Sequence, residues 1–542
     1  MQQAESSKPK SSFRNASLVA AGILLSRIAG LIRMRVLAHF LGDSDAGDAF
    51  YAAIKIPNFP QNLFGEGVLS ASFIPVYANL IAQGDKEQAR KVANVILSFL
   101  IMIVSFFVVT GIFVTPYLID LIAPGFHGEK RELTIQLVQI IFPGTGLLVL
   151  SAWCLGILNS HGKFFLSYTA PVLWNFAIIG VLVAFRHDHD ENHLANYAAW
   201  GLLLGSILQF GVQFPTTMKL VPRIRLDFSM KLDSVRQIIR NFLPVVFGRG
   251  VVQMSAYIDN VLASWLPSGA VAALGYAQSI YMLPISLFGM SISAAELPTM
   301  SQAYGRADFF ETLRHRVESA FRQIAFLVVP SMVGFLLLGD AIVGLLFQTG
   351  QFNEHTSVFV WGVLAGSAVG LLASTLGRLY SSAFYSLRDT RTPLRFSIVR
   401  VILTTILGYV MGLQLPGWLG VSAEWGTAGL TASAGIAGWV EFLLLRRALT
   451  KKIGAMHISF GFLAKLWSAS LVVGACCYGV KLVMPVHHPV IRGVVVLAVF
   501  GLLYFPITAG LGIEESGRWT SRLYGRTLGR APRLSNWLKR RS

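Results

Sequence analysis

The chain has 542 residues, 54% hydrophobic and 13% charged, with a formal net charge of +18. Soluble domains carry about a quarter charged residues, so this balance excludes a water-soluble globular protein and reads as a polytopic membrane protein. Three cysteines (Cys154, Cys476, Cys477), all inside apolar runs, point to neither a disulfide framework nor a zinc site.

Residues 1–16 are polar and carry Lys8, Lys10 and Arg14; no small-residue cleavage site follows the apolar run after them, so they read as a cytoplasmic tail and not a signal peptide. Apolar windows then predict fourteen spans, at 17–41, 46–82, 92–122, 133–159, 164–185, 194–218, 237–266, 270–300, 320–348, 357–386, 393–413, 420–448, 459–484 and 489–512. The second is interrupted by Pro57, Pro60 and Pro75 and is expected to bend. No segment between spans is long enough for a soluble domain. With the N-terminus inside, the cytoplasmic segments hold 32 Lys and Arg, the outer ones hold 5, and 8 lie within spans. This bias predicts both termini in the cytoplasm and accounts for most of the basicity without nucleic acid.

A weak repeat runs through the chain. "VLAHFLG" (36–42) returns as "VLASWLP" (261–267), and "YAAIKIPN" (51–58) as "YAQSIYMLP" (276–284). The offset is six spans. The expected architecture is all-α, with two pseudo-symmetric six-helix lobes (17–225 and 226–452), two extra helices (453–512) and a basic cytoplasmic tail (513–542). Repeats of this kind are common in secondary transporters, which bind substrate between them.

The first span, "GILLSRIAGLIRMRVLAHFLG" (22–42), carries Arg27, Arg33 and Arg35. Each arginine near the bilayer centre costs about 2.5–3.5 kcal/mol on insertion scales. At 100° per residue, with Arg27 at zero, Arg35 falls near 80° and Arg33 near 240°. Arg27 is the best placed to line a cavity, Arg33 reaches it only through a bend near Gly30, and Arg35 snorkels outward. On the second span Asp48, Lys55, Asn58, Asn62 and Glu66 share an arc of about 80°. Such a stripe faces other helices or a water-filled cavity. Two readings stay open: an Arg–Asp pair joining the first two spans, or an interior anion site, for which phosphate or pyrophosphate fits guanidinium donors.

Other signals are weaker. "RHDHDENH" (186–193) has metal-ligand residue types but reads as a solvated outer loop, so no metal site is expected. The glycines of 426–438 suit close helix packing. No nucleophile elbow, P-loop or metal-ligand helix is found, and no enzyme activity is expected.

The motifs "SRIAGLIR" (26–33), "DAFYAAIKIPN" (48–58), "FGEGVLSASFIPVY" (64–77), "APGF" (123–126), "LFQTGQF" (346–352) and "YSLRDTRTP" (385–393) occur in order. With the fourteen spans, they resemble the MurJ/MviN family of lipid II flippases in the multidrug/oligosaccharidyl-lipid/polysaccharide exporter superfamily. The resemblance covers about residues 13–512. It implies alternating access that carries lipid II to the outer leaflet of the bacterial inner membrane for peptidoglycan assembly, a groove for the lipid tail along the last two helices, and cell-wall synthesis proteins as possible partners. It implies substrate-binding roles for Ser26, Arg27 and Arg33 and a positioning or coupling role for Asp48. Gln61, Gln278, Ser279 and Met282 stand where the family has charged residues, so two expected cations are missing. Arg249 on the seventh span is the candidate replacement. Some relatives bind sodium between the seventh and eleventh spans. Here an Asp259–Arg400 pair is expected in that place, making sodium dispensable; no cofactor is expected, and the membrane potential or another ion could drive the cycle. A different polyprenyl-pyrophosphate glycan, or a non-transporting scaffold of cell-wall assembly, is the alternative.

Overall fold

A computed structural model of the chain describes residues 9–302, 308–485 and 488–517, with side chains for these except 9–21, 243–245 and 247–256. Helices account for nearly all of it, as a chain in lipid requires, since an α-helix satisfies its own backbone groups. Among the described residues the single non-helical pairing is an isolated bridge between Thr349 and Phe352.

Contacts divide the chain into two compact units: residues 1–273 with 349–356, and 274–348 with 357–542. The first unit holds α1 (Pro9–Leu41), α2 (Asp45–Phe64), α3 (Glu66–Ala82), α4 (Lys86–Ile122), α5 (Gly128–Ser160), α6 (Phe164–Ala184), α7 (Glu191–Leu220) and α8 (Asp233–Ser264). Helix α9 (Ala270–Pro284) begins in the first unit and runs into the second. The second unit continues with α10 (Ser291–Gln302), α11 (Phe309–Phe347), α12 (Glu354–Ala368), α13 (Leu371–Ser386) and α14 (Arg391–Gly408). It ends with α15 (Leu415–Leu419), α16 (Gly426–Ile453), α17 (Phe460–Val483) and α18 (Pro489–Gly510).

All fourteen expected segments are helical over most of their length. Among the described residues, eleven helices are long and apolar enough to cross a membrane, or twelve if α12 and α13, bent by 41°, form one span. Helices α1 and α8, whose side chains are described only in part, are not among them.

Side chains at the water boundary start the helices. Ser44 accepts from Gly47 N at the head of α2, Asp85 from Gln88 N at the head of α4, and Asp190 from Asn192 N and His193 N at the head of α7. Each satisfies a backbone donor that the helix itself leaves open. Asp190 belongs to the histidine-rich loop before α7. There Asp188 accepts from Asp190 N and sits 3.2 Å from His193 Nδ1, and the backbone bond holds its carboxyl below the usual range. No group of three metal-ligating side chains occurs among the described residues.

The second span breaks at Gly65 and not at its prolines. Helix α2 runs through Pro57 and Pro60, Gly65 is extended (φ −83°, ψ −155°), and α3 starts at Glu66. A Cβ at Gly65 would collide with the Gln61 carbonyl, so the break needs glycine. Helix α1, by contrast, is unbroken over 33 residues, including Gly30.

The core of the first unit gathers around Trp153, Phe73 and Tyr77. Trp153 Nε1 donates to the Ala93 carbonyl at 3.2 Å, so its polar edge is satisfied as it is buried. Helix α8 packs on α2, α3 and α4. The 349–356 turn also belongs here: Gln351 N donates to the His39 carbonyl, and Thr356 Oγ1 to Asp43 Oδ1 at 2.8 Å. In the second unit α11 is the central helix, packed by α10, α13, α17 and α18. Two ion pairs fasten the last helices to it. Lys481 pairs with Asp340, and Arg322 pairs with Glu515 at 2.7 Å while covering the Phe462 ring. Between α13 and α14, Asp389 of the "YSLRDTRTP" motif binds Lys452 at 2.6 Å and caps α14 through Thr392. The Lys452 bond, aided by Thr392, holds the Asp389 carboxyl well below the usual carboxylate range.

Candidate functional site

The arginines of α1 take different faces. Arg27 is exposed and Ser26 is half-buried, whereas Arg33 turns against α6. Its guanidinium lies 4.7 Å from the centre of the Trp174 ring, and its Nε is buried without a hydrogen-bond partner. Its guanidinium lies 3.8 Å from the thioether of Met34. A guanidinium stacks on indole because the ring face is electron-rich, but stacking leaves its in-plane N–H donors unspent. Helix α1 continues without interruption through Gly30, and Arg33 meets α6.

Asp48 does not pair with either arginine. It is 1% exposed and accepts from Lys130 Nζ at 2.6 Å, from Gly269 N at 2.8 Å and from Ala272 N at 2.7 Å. It therefore caps α9, where a carboxylate meets the positive end of the helix dipole. Lys130 also binds Asp45, which accepts from Ser268. The Arg–Asp pair left open by the sequence is thus replaced by an Asp–Lys pair, because the N-termini of α5 and α9 both reach this carboxylate.

The polar stripe divides among several neighbours. Lys55 donates to Asn260 Oδ1 at 2.9 Å on α8 and interacts electrostatically with Asp259, while Tyr257 donates to the Lys55 carbonyl. Asn58 is half-buried on the same helix. Past Pro60, Asn62 and Glu66 line a cavity of about 410 Å³ within the first unit, together with Gln61, Ser70, Ser151 and Gln209. Gln61, which stands where the family carries an arginine, therefore faces this cavity.

The expected Asp259–Arg400 pair would join residues of the two units, and within its own unit each has another neighbour. Arg400 donates to Glu441 Oε2 on α16 at 3.2 Å, and Ser397 donates to Glu441 Oε1 at 2.8 Å. Each of the two expected partners is engaged inside its own unit, Asp259 with Lys55 and Arg400 with Glu441. Arg378 on α13 is close enough to interact electrostatically with both Arg400 and Glu441. Sequence reasoning missed Glu441 because it searched for acids only on the span that carries Arg400. The Arg249 side chain lies outside the described residues; its backbone belongs to α8. Of the other departures, Gln278 is exposed and Ser279 donates to the Tyr276 carbonyl of its own helix.

The family model described as lipid II flippase MurJ matches residues 37–499. The chain is 31% identical over 471 residues to the lipid II flippase MurJ of Burkholderia cenocepacia, covering 85% of this chain and 88% of that protein. The solved inward closed conformation of a lipid II flippase MurJ matches with a TM-score of 0.74 at 23% identity, covering 94% of this chain and 99% of that one. An inward-facing multidrug resistance MATE transporter of the MOP superfamily matches with a TM-score of 0.63 at 20% identity, over 79% of this chain and 96% of that one. At these identities the two structures speak for the fold alone, a multi-helix membrane architecture. The length and strength of the sequence match decide the rest: this chain belongs to the lipid II flippase MurJ family.

Proposed function

We propose that the protein carries lipid II from the cytoplasmic to the outer leaflet by alternating access, with both termini in the cytoplasm. The observation that carries this reading is Arg33, a cation turned into the first unit with a buried, unspent Nε donor. A buried donor without a partner is costly unless something compensates it, and a pyrophosphate supplies both charge and acceptor oxygens. Exposed Arg27 and half-buried Ser26 extend the donors along α1. In the second unit Arg378 and Arg400 lie near Glu441, and Arg249 is a further candidate. We assign the two six-helix lobes to the moving parts and the α17–α18 pair to the lipid tail. Outward movement of an anionic headgroup across an inside-negative membrane is favourable by about 2.3 kcal/mol per charge per 100 mV.

The test is complementation of bacteria depleted of their own lipid II flippase, read with an assay of outer-leaflet lipid II. Rescue by the wild type, lost in Arg27→Ala or Arg249→Ala at equal membrane levels, is expected. Failure of the wild type at normal membrane levels would favour another polyprenyl-pyrophosphate glycan, a reading that Gln61 and Ser279 make specific, or a scaffold of cell-wall assembly. A scaffold would tolerate neutralising Arg27 and Arg33 together.

We also propose that sodium is dispensable. Asp259 already has the Lys55 ammonium beside it and Glu441 the Arg400 guanidinium, so neither carboxylate needs a metal cation. Transport into proteoliposomes should run at an unchanged rate when sodium is replaced by potassium or choline; a rate that collapses without sodium refutes this.

A further inference from the structure

The cavity beside the break in the second span differs in chemistry from the cationic helix α1. Its polar lining is Gln61, Asn62, Glu66, Ser70, Ser151 and Gln209. Glu66 is the single charged side chain among the lining residues, and no Lys or Arg is among them to meet a phosphate. Amides and hydroxyls dominate instead, and each of these presents both a donor and an acceptor. Ser151 is the hub: it accepts from Gln209 Nε2 at 3.1 Å and donates to Gln213 Oε1 at 2.8 Å. Behind it, Gln213 is 0% exposed and its Nε2 has no hydrogen-bond partner. Leu148, Leu155 and Pro171 complete the wall with apolar surface.

A pyranose has this composition in reverse. Its rim carries hydroxyls and acylamino groups that both give and take hydrogen bonds, and its ring faces carry C–H surface. The volume of about 410 Å³ lies within the range of small-molecule sites. Position agrees with chemistry. Pro171 of the cavity wall lies three residues, one helical turn of α6, from Trp174, on which Arg33 stacks. In a polyprenyl-pyrophosphate glycan the first sugar is bonded directly to the pyrophosphate, so the two binding regions must be about this close.

We propose that this cavity is the glycan subsite, which holds the pyrophosphate-proximal sugars through Asn62, Ser151 and Gln209 while Arg33 takes the pyrophosphate. The proposal rests on the reading that the cargo is a lipid-linked glycan. It makes the cavity, and not the arginines, the source of selectivity for the headgroup.

The experiment measures binding of two lipids to the full-length protein in nanodiscs: lipid II, and the same polyprenyl pyrophosphate without sugars or peptide. The wild type should prefer lipid II. Gln209→Leu and Asn62→Leu should each weaken lipid II binding about tenfold, the scale of a lost buried hydrogen bond. Binding of the sugar-free lipid should stay unchanged, which also shows that the variants are folded. An equal loss for both lipids, no loss for either, or a wild type that binds both lipids equally overturns the subsite and leaves the flippase reading in place. A wild type that binds neither lipid overturns both.

Discussion

Asp48→Ala should cost more stability than any other single substitution at the described site, about 3–5 kcal/mol, the range for breaking a buried ion pair from one side. The carboxylate has three donors in the structure, the Lys130 ammonium and the backbone N–H groups of Gly269 and Ala272. Alanine would strand the two backbone donors and take from Lys130 its buried partner. Lys130 keeps Asp45 as a partner, but that carboxylate is mostly exposed, and exposed pairs contribute no more than about 1 kcal/mol. Asp48→Asn keeps an oxygen for one N–H and loses the charge, so its loss should be intermediate. Thermal unfolding of the purified variants in one detergent checks the order. Identical midpoints for wild type and Asp48→Ala would show that the cap carries no weight in the fold.

Arg33→Met should move stability and transport in opposite directions. Methionine matches much of the length of the side chain, keeps contact with the Trp174 ring and removes a charge whose Nε is buried without a partner. Replacing buried ions by apolar side chains is often stabilising, by about 1–4 kcal/mol. Transport should nevertheless fall about 100-fold or more, the scale of losing a buried charged contact to a ligand. Arg33→Lys keeps the charge but not the planar guanidinium that stacks and donates in a fork, and it should fail to restore transport. Outer-leaflet lipid II and the unfolding midpoint, measured on the same preparations, decide the matter. Normal transport by Arg33→Met would remove Arg33 from cargo binding.

Much of the fold was legible because lipid imposes a simple rule: long apolar runs must become helices, and all fourteen did. The separation of Arg27 from Arg33 was legible too, since it follows from helical angle alone. Partners were not. Asp48 stood out as a buried acid, but its true neighbours lie 82, 221 and 224 residues away, and no local pattern marks them. Trp174 looked like one more aromatic in a span, and Ser151 and Gln209 like ordinary polar residues on α5 and α7. The interruption at Gly65, between α2 and α3, was not foreseen. A proline inside a helix removes one hydrogen bond, whereas the Gly65 conformation excludes any side chain.

The long reach of Asp48 also sets a timetable for biogenesis. At about 5–20 residues per second of synthesis, the α9 amides that Asp48 caps are made about 10–45 s after it, because they lie 221 and 224 residues downstream. Until then the Asp48 carboxylate lacks its two backbone donors. Lys130 arrives much sooner, 82 residues after Asp48, and can act as an interim escort for the charge. The same lysine that steadies the finished cap therefore protects the nascent chain, and its loss would be felt first at the translocon, in the yield of inserted protein.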